Sequence, residues 1–186
     1  MSTTTIILIV LAVIVLWAVF AFNGLIRLTN RAKEAWADIS VQLKRRYDLI
    51  PNLVETVKGY AAHESSAFEN VSKARAAAMS ATGTADKAQA ENQLSGALKS
   101  IFAISEAYPE LKANQNFLQL QQELGDTEDK IQSARRFYNT TVMALNTAVQ
   151  SFPGNIIAGS FGFKQMDLFE LSDADAAAKE PVKVQF

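Results

Sequence analysis

Seventeen consecutive residues, Ile6 to Phe22, are apolar without a break, and this run constrains the chain more than any other feature. Carried through to Ile26 it reaches 21 residues, ~31 Å as a helix against a hydrocarbon layer of ~30 Å. In lipid a helix satisfies its own backbone groups, so the run is predicted to be helical despite its many β-branched residues. Ile6, Leu11, Trp17 and Phe22 mark this transmembrane segment. Trp17, Phe20 and Phe22 lie toward its C-terminal end, where an interfacial aromatic belt belongs. A cleaved signal peptide would need a basic leader and a small-x-small exit, and neither Met1–Thr5 nor Ala18–Phe22 provides one. A retained anchor is expected. No charge precedes Arg27, while Arg27, Arg31 and Lys33 follow the span, which predicts a short N-terminus outside and a cytoplasmic C-terminal domain.

Composition removes whole classes of chemistry. The 186 residues carry 18 basic and 19 acidic side chains, so no strongly basic nucleic-acid surface and no polyanionic tail is expected. The chain has no Cys, which excludes disulfides, thiolate nucleophiles and Cys-ligated metal sites. One His makes a multi-histidine metal site impossible within one chain.

Beyond the span the periodicity is helical. Leu25, Leu28, Ala32, Trp36, Ile39, Leu43, Tyr47, Ile50, Val54, Val57 and Ala61 recur at steps of three or four, one apolar stripe on a helix continuing out of the bilayer. This stretch is expected to reach Ala81, with a bend near Tyr47–Pro51, and Thr82-Gly83-Thr84 to break it and cap the next. A second stretch carries Leu94, Leu98, Ile101 and Ile104 or Ser105, and Pro109 starts a further piece with Phe117, Leu118, Leu120 and Leu124. Gly125-Asp126 is expected to close that piece. A third stretch then places Ile131, Ala134, Tyr138, Val142, Leu145, Val149 and Phe152 on one face. No segment alternates with period two. The expected fold is all-α: a transmembrane helix continuing into an elongated, antiparallel, coiled-coil-like helical bundle.

Candidate sites compete with plainer readings. His63-Glu64-Ser65-Ser66-Ala67 begins like a zinc motif, but Ala67 stands where the second His must be. A Ser–His–Asp triad would lack its nucleophile elbow and supporting strand. Gly154 to Ser160 has glycines but not the lysine of a phosphate loop, and reads as a turn region. Asn70-Val71-Ser72 and Asn139-Thr140-Thr141 match a glycosylation sequon but fall in helical stretches. Lys44-Arg45-Arg46 is the densest basic cluster, expected to pair within the chain or between subunits with residues such as Asp48, Glu123 or Asp129, with lipid contact as the alternative. No catalytic, cofactor or metal residue is assigned.

Five of the 11 Phe fall at or after Phe152. Phe161, Phe163 and Phe169, with Ile156, Ile157, Met166, Leu168 and Leu171, are too apolar for an idle loop. They either cover their own bundle, dock on a neighbouring copy or partner, or enter the membrane. Asp173 to Glu180 is expected to be mobile. Tyr60, Phe68, Phe102, Phe117, Phe137 and Tyr138 add aromatic surface beyond a narrow seam, which lateral packing of anchored copies would hide.

Several segments carry a resemblance. Trp36 to Arg46, Asp48 to Val54, Thr56 to Tyr60 with His63-Glu64, Glu106 to Ala113 with Phe117, Ala134 to Asn139, Phe152-Pro153 and Ala158 to Phe163 together resemble the bacterial LemA family, over roughly residues 5 to 171. Leu145, before Asn146, departs from an expected aromatic. The resemblance implies an N-terminal transmembrane helix with a short outward tail, an antiparallel helical domain and the bacterial inner membrane. It implies no enzymatic activity. Relatives among membrane-organising magnetosome proteins and beside a membrane zinc protease give two leads. The first is a self-associating homo-oligomeric scaffold in contact with membrane lipid, and the second an adaptor or regulator of the metalloprotease. The expected division is 1–26 for the tail and span, 27–152 for the bundle, and 153–186 for the apolar segment and acidic tail.

Overall fold

The computed structural model describes residues 2–170. The expected acidic tail, Asp173 to Glu180, and Leu171 lie outside the described residues. Among those described the protein is all-α, with no strand: α1 (Thr3–Lys58), α2 (Ser65–Ser80), α3 (Thr84–Ala107), α4 (Pro109–Lys112), α5 (Gln115–Gln150) and α6 (Gly154–Phe161). The contacts divide it into two units. One comprises residues up to 38 with 134–168, the other 39–133 with the described residues after 168.

α1 leaves the apolar run with no loop. Its first part is long and apolar enough to cross a membrane, and none of the most hydrophobic window is buried within the protein. An exposed apolar cylinder of this length is the surface a membrane-crossing helix presents to lipid. In the first unit the predicted stripe turns inward from Leu25 onward: Leu25 and Ala32 are buried, Leu28 and Trp36 half-buried, and Ala35, outside the predicted stripe, is buried as well. In the second, Ile39, Leu43, Tyr47, Ile50, Val54, Val57 and Ala61 are all buried.

The helix boundaries depart from expectation in three places. α1 ends at Lys58 rather than running on to Ala81, because the amides of Tyr60 and Ala61 both turn back to the Val57 carbonyl, at 3.0 and 2.9 Å. The α2–α3 turn falls where Thr82-Gly83-Thr84 is expected to break and cap, with Gly83 in the cap position of α3 at φ +83°, a conformation glycine adopts without penalty. Gly125 does not end a helix. Asn114 precedes α5, its Oδ1 accepting the Phe117 amide at 3.0 Å as an N-cap does, and α5 runs from Gln115 through Gly125 to Gln150. Thr127, two residues beyond Gly125, is buried inside α5 and donates to the Glu123 carbonyl at 2.7 Å. Finally, residues 154–161 are a helix rather than a turn. Gly162 closes it at φ +74°, and the Phe163 amide returns to the Ala158 carbonyl at 2.9 Å, as in a Schellman ending.

α2 and α3 pack together as an αα-hairpin over that short turn. Their inward residues include Phe68, Val71 and Ala78 on α2, and Leu94, Leu98, Ile101 and Ser105 on α3. Phe68, Phe117 and Tyr138 are enclosed by their own chain, so the aromatic surplus is smaller than the sequence suggests. Phe152, expected on an inward face, is 82% exposed.

Candidate functional site

Two constellations stand out, one in each unit. In the second unit the centre is Arg46, which the α1 stripe carries inward between Leu43 and Ile50. Only 6% of Arg46 is exposed, and Glu91 on α3 is 2% exposed. The Arg46 Nη1 donates to Glu91 Oε2 at 3.1 Å and lies 3.3 Å from Glu128 Oε2 on α5. Its Nη2 donates to Ser95 Oγ at 2.7 Å. Glu91 and Ser95 are four residues apart on α3, hence on one face. The other Glu91 oxygen accepts the Tyr47 hydroxyl. Of the expected partners of the basic cluster, Asp48 is found, bonded to Lys44 Nζ at 2.7 Å. Arg46 instead takes Glu91 and Glu128.

Pro51 explains the next contact. Lacking an N–H, it cannot donate to the carbonyl of Tyr47 one turn earlier. Arg75 on α2 fills the gap, its Nε donating to that carbonyl at 2.8 Å. α1 therefore passes through Pro51 as one helix, and the orphaned acceptor becomes a fastening point for α2. Lys87 on α3 likewise donates to the Ala78 carbonyl at 2.7 Å, near the α2 C-terminus, where a cation suits the helix dipole. Its ammonium also lies 5.5 Å from the centroid of the Tyr47 ring.

Burial raises the Glu91 carboxyl above the usual carboxylate range, against the opposing pull of the Tyr47 hydroxyl, Arg46 and Lys87. Burial, then the bond to Glu91, pushes the Tyr47 phenol upward. Side chains from α1, α2, α3 and α5 thus meet at one level of this unit and satisfy one another. Buried ion pairs add little net stability, but breaking one is costly, and such groups fix register. The arrangement keys the helices to one alignment.

In the first unit, the residues after α6 run back along α5. Asn146 grips their backbone twice: its Nδ2 donates to the Met166 carbonyl and its Oδ1 accepts the Met166 amide, both at 2.9 Å. Tyr138 donates its hydroxyl to the Asp167 carbonyl at 2.9 Å, while its ring lies 5.3 Å from that of Trp36. Farther along, Phe22 at the end of the apolar run meets Phe161 and Phe163, with ring centroids 4.8 and 5.6 Å apart. Gly154 sits where a Cβ would come within 2.8 Å of the Ala148 carbonyl oxygen, so only glycine fits.

The sequence-derived residues are therefore placed as follows. Ile6 and Leu11 are exposed on α1, Trp17 is more than one-third exposed, and Phe22 is half-buried by the returning segment. Phe161 is 63% exposed, Phe163 half-buried and Phe169 fully enclosed. His63 is exposed in the turn before α2. Among the described residues no group of three His, Asp or Glu converges as metal ligands. Sequence reasoning overlooked Glu91, Arg75 and Asn146. Only Asn146 gave a signal, as an amide on an otherwise apolar helix face.

Magnetosome protein MamQ of Magnetospirillum gryphiswaldense is similar, 26% identical over 174 residues, covering 80% of this chain and 64% of its own length. Protein LemA of Metamycoplasma hominis is 25% identical over 157 residues, 82% of this chain and 70% of its own. Magnetosome protein MamQ 2 of Paramagnetospirillum magneticum is 23% identical over 175 residues, 80% and 64% of the two chains. The chain thus spans less than two-thirds of the length of these magnetosome relatives. The model of the LemA family matches residues 35–186, the stretch that contains both the Arg46 network and the Asn146 clamp. The chain belongs to the LemA family.

Proposed function

We propose that this membrane-associated LemA family protein is a non-catalytic scaffold whose copies associate side by side in a bacterial inner membrane. Its N-terminus lies outside and its helical domain in the cytoplasm. The observation that carries the reading is α1, which leaves the apolar span with no intervening loop. A loop-free exit couples the start of the helical domain to the span, so every copy presents the same faces at the same height above the bilayer. Association between pre-oriented copies loses less rotational freedom, so small contacts suffice. Exposed apolar side chains outside the span, Val41, Leu118, Phe137 and Met143 among them, supply such contacts. Charged groups at the centre of the second unit are turned on one another, which supports a mechanical role for that unit.

The test is extraction of the full-length protein with its surrounding lipid into polymer-bounded particles, followed by mass measurement. Particles holding several copies support the scaffold. One copy per particle overturns it, and one copy in constant ratio with a second protein favours the metalloprotease adaptor.

A further inference from the structure

From Phe137 through Phe163 the chain carries no charged side chain, 27 residues bounded by Arg136 and Lys164. This stretch comprises the last part of α5, the turn and α6. Within the first unit it ends against Phe22, through Phe161 and Phe163. Phe22 is the last residue of the uninterrupted apolar run, and α1 carries no charge until Arg27. The contact therefore fixes α6 at the depth where α1 leaves the hydrocarbon. On that side Phe152 is 82% exposed, Ile156 56% and Phe161 63%. Exposed aromatic and aliphatic side chains at that depth meet the headgroup and acyl boundary rather than open water.

We propose that α6 and Phe152 form a second membrane contact, lying in the bilayer interface beside the end of the span. The polar groups present suit that boundary. Ser160 directs its hydroxyl to the Ile156 carbonyl at 2.8 Å, so it needs no water, and Asn155 is neutral. Arg27 and Lys164, the first charges beyond this level on the two strands of chain, are both exposed and placed to meet lipid phosphates. The Arg31 guanidinium lies farther out, 5.2 Å from the Phe137 ring centroid. Continuity with the span argues for lipid as the occupant: a soluble partner on this face would have to enter the headgroup layer, and a sister copy would have to bring its own span against this one. The segment after α6 is bound to α5 by Asn146 and Tyr138, which holds the contact in place.

The chain has no Cys, so single nitroxide labels can be placed on the full-length protein. Ile156→Cys and Asn155→Cys are compared with Ile14→Cys within the span and Lys99→Cys on α3, in vesicles of phosphatidylethanolamine and phosphatidylglycerol. The expected result is an oxygen-to-nickel-complex accessibility ratio at 155 and 156 several-fold above that at 99 and approaching that at 14. A ratio at 155 and 156 equal to that at 99 overturns the proposal. So does exclusion of both reagents together with label–label broadening that disappears on dilution with unlabelled protein, since the face then belongs to a second copy. Free nickel access at 14 overturns the span itself and this contact with it.

Discussion

Replacing Arg46 with Met tests whether the second unit depends on a buried charge. Met fills similar volume but takes from Glu91, 2% exposed, its ion-pair partner, leaving the Tyr47 hydroxyl and Lys87 to oppose its protonation. An unpaired carboxylate at that depth takes up a proton instead. For a group with an ordinary pKa of about 4.3, proton uptake at pH 7 costs about 2.7 units, or about 3.7 kcal/mol at about 1.36 per unit. That figure is a ceiling, because burial has already raised Glu91 in the parent. Losing the hydrogen bond to Ser95 adds about 1 kcal/mol. Glu128 is 36% exposed as a side chain and rehydrates cheaply. The expected loss is therefore about 3–4 kcal/mol at pH 7. At pH 5 the protonation cost shrinks to about 1 kcal/mol, so the total falls to about 2. The sign follows from linkage: the folded variant binds a proton that the unfolded chain releases, so its stability drops as pH rises above the ordinary carboxylate range. Hydrogen exchange of α3 amides in the detergent-solubilised full-length protein, corrected for intrinsic rates, measures the difference. Glu91→Gln in the Arg46→Met background should remove most of the pH dependence. Equal losses at both pH values, or no loss, would refute the reasoning.

Three further outcomes are expected. Asn146→Ala removes two hydrogen bonds to Met166, costs about 2 kcal/mol locally, and should speed tryptic cleavage at Lys164; unchanged cleavage would show that the clamp is idle. Arg75→Met should cost about 1–2 kcal/mol by orphaning the Tyr47 carbonyl, and much less in a Pro51→Ala background, where a backbone N–H returns to that acceptor; additive effects in the double-variant cycle would contradict this pairing. Gly154→Ala places its methyl against the Ala148 carbonyl oxygen and should lower the melting temperature at a cost of about 1–3 kcal/mol, whereas Gly125→Ala, with open space around it, should gain up to about 1 kcal/mol.

What the sequence reveals and hides has a physical basis. The span and the α1 stripe are local, repeating patterns, and Leu25 to Ala61 lie inward much as their spacing says. Helix ends were legible only where one residue dominates. Gly125 suggests a stop because glycine is a poor helix former, yet its cost of about 1 kcal/mol is small beside the packing of Leu124 and Ile131 on either side. The stronger signal was the Asn114 cap, three residues before a buried Phe117. Arg46 illustrates a different limit. Its partners Glu91 and Glu128 lie far along the chain, and no periodicity links positions on separate helices. The Phe-rich segment was recognisable as something that must be covered. Its path was not, because the Asn146 clamp binds backbone and so leaves no mark in the residues it holds.

The central claim is that anchored copies assemble in the bilayer. Counting photobleaching steps from full-length protein carrying one dye per chain, in native-composition membranes at low surface density, tests it most directly. The account predicts multi-step traces with a preferred copy number that survives further dilution. Single-step traces throughout, with α1 verified in the membrane, would contradict it.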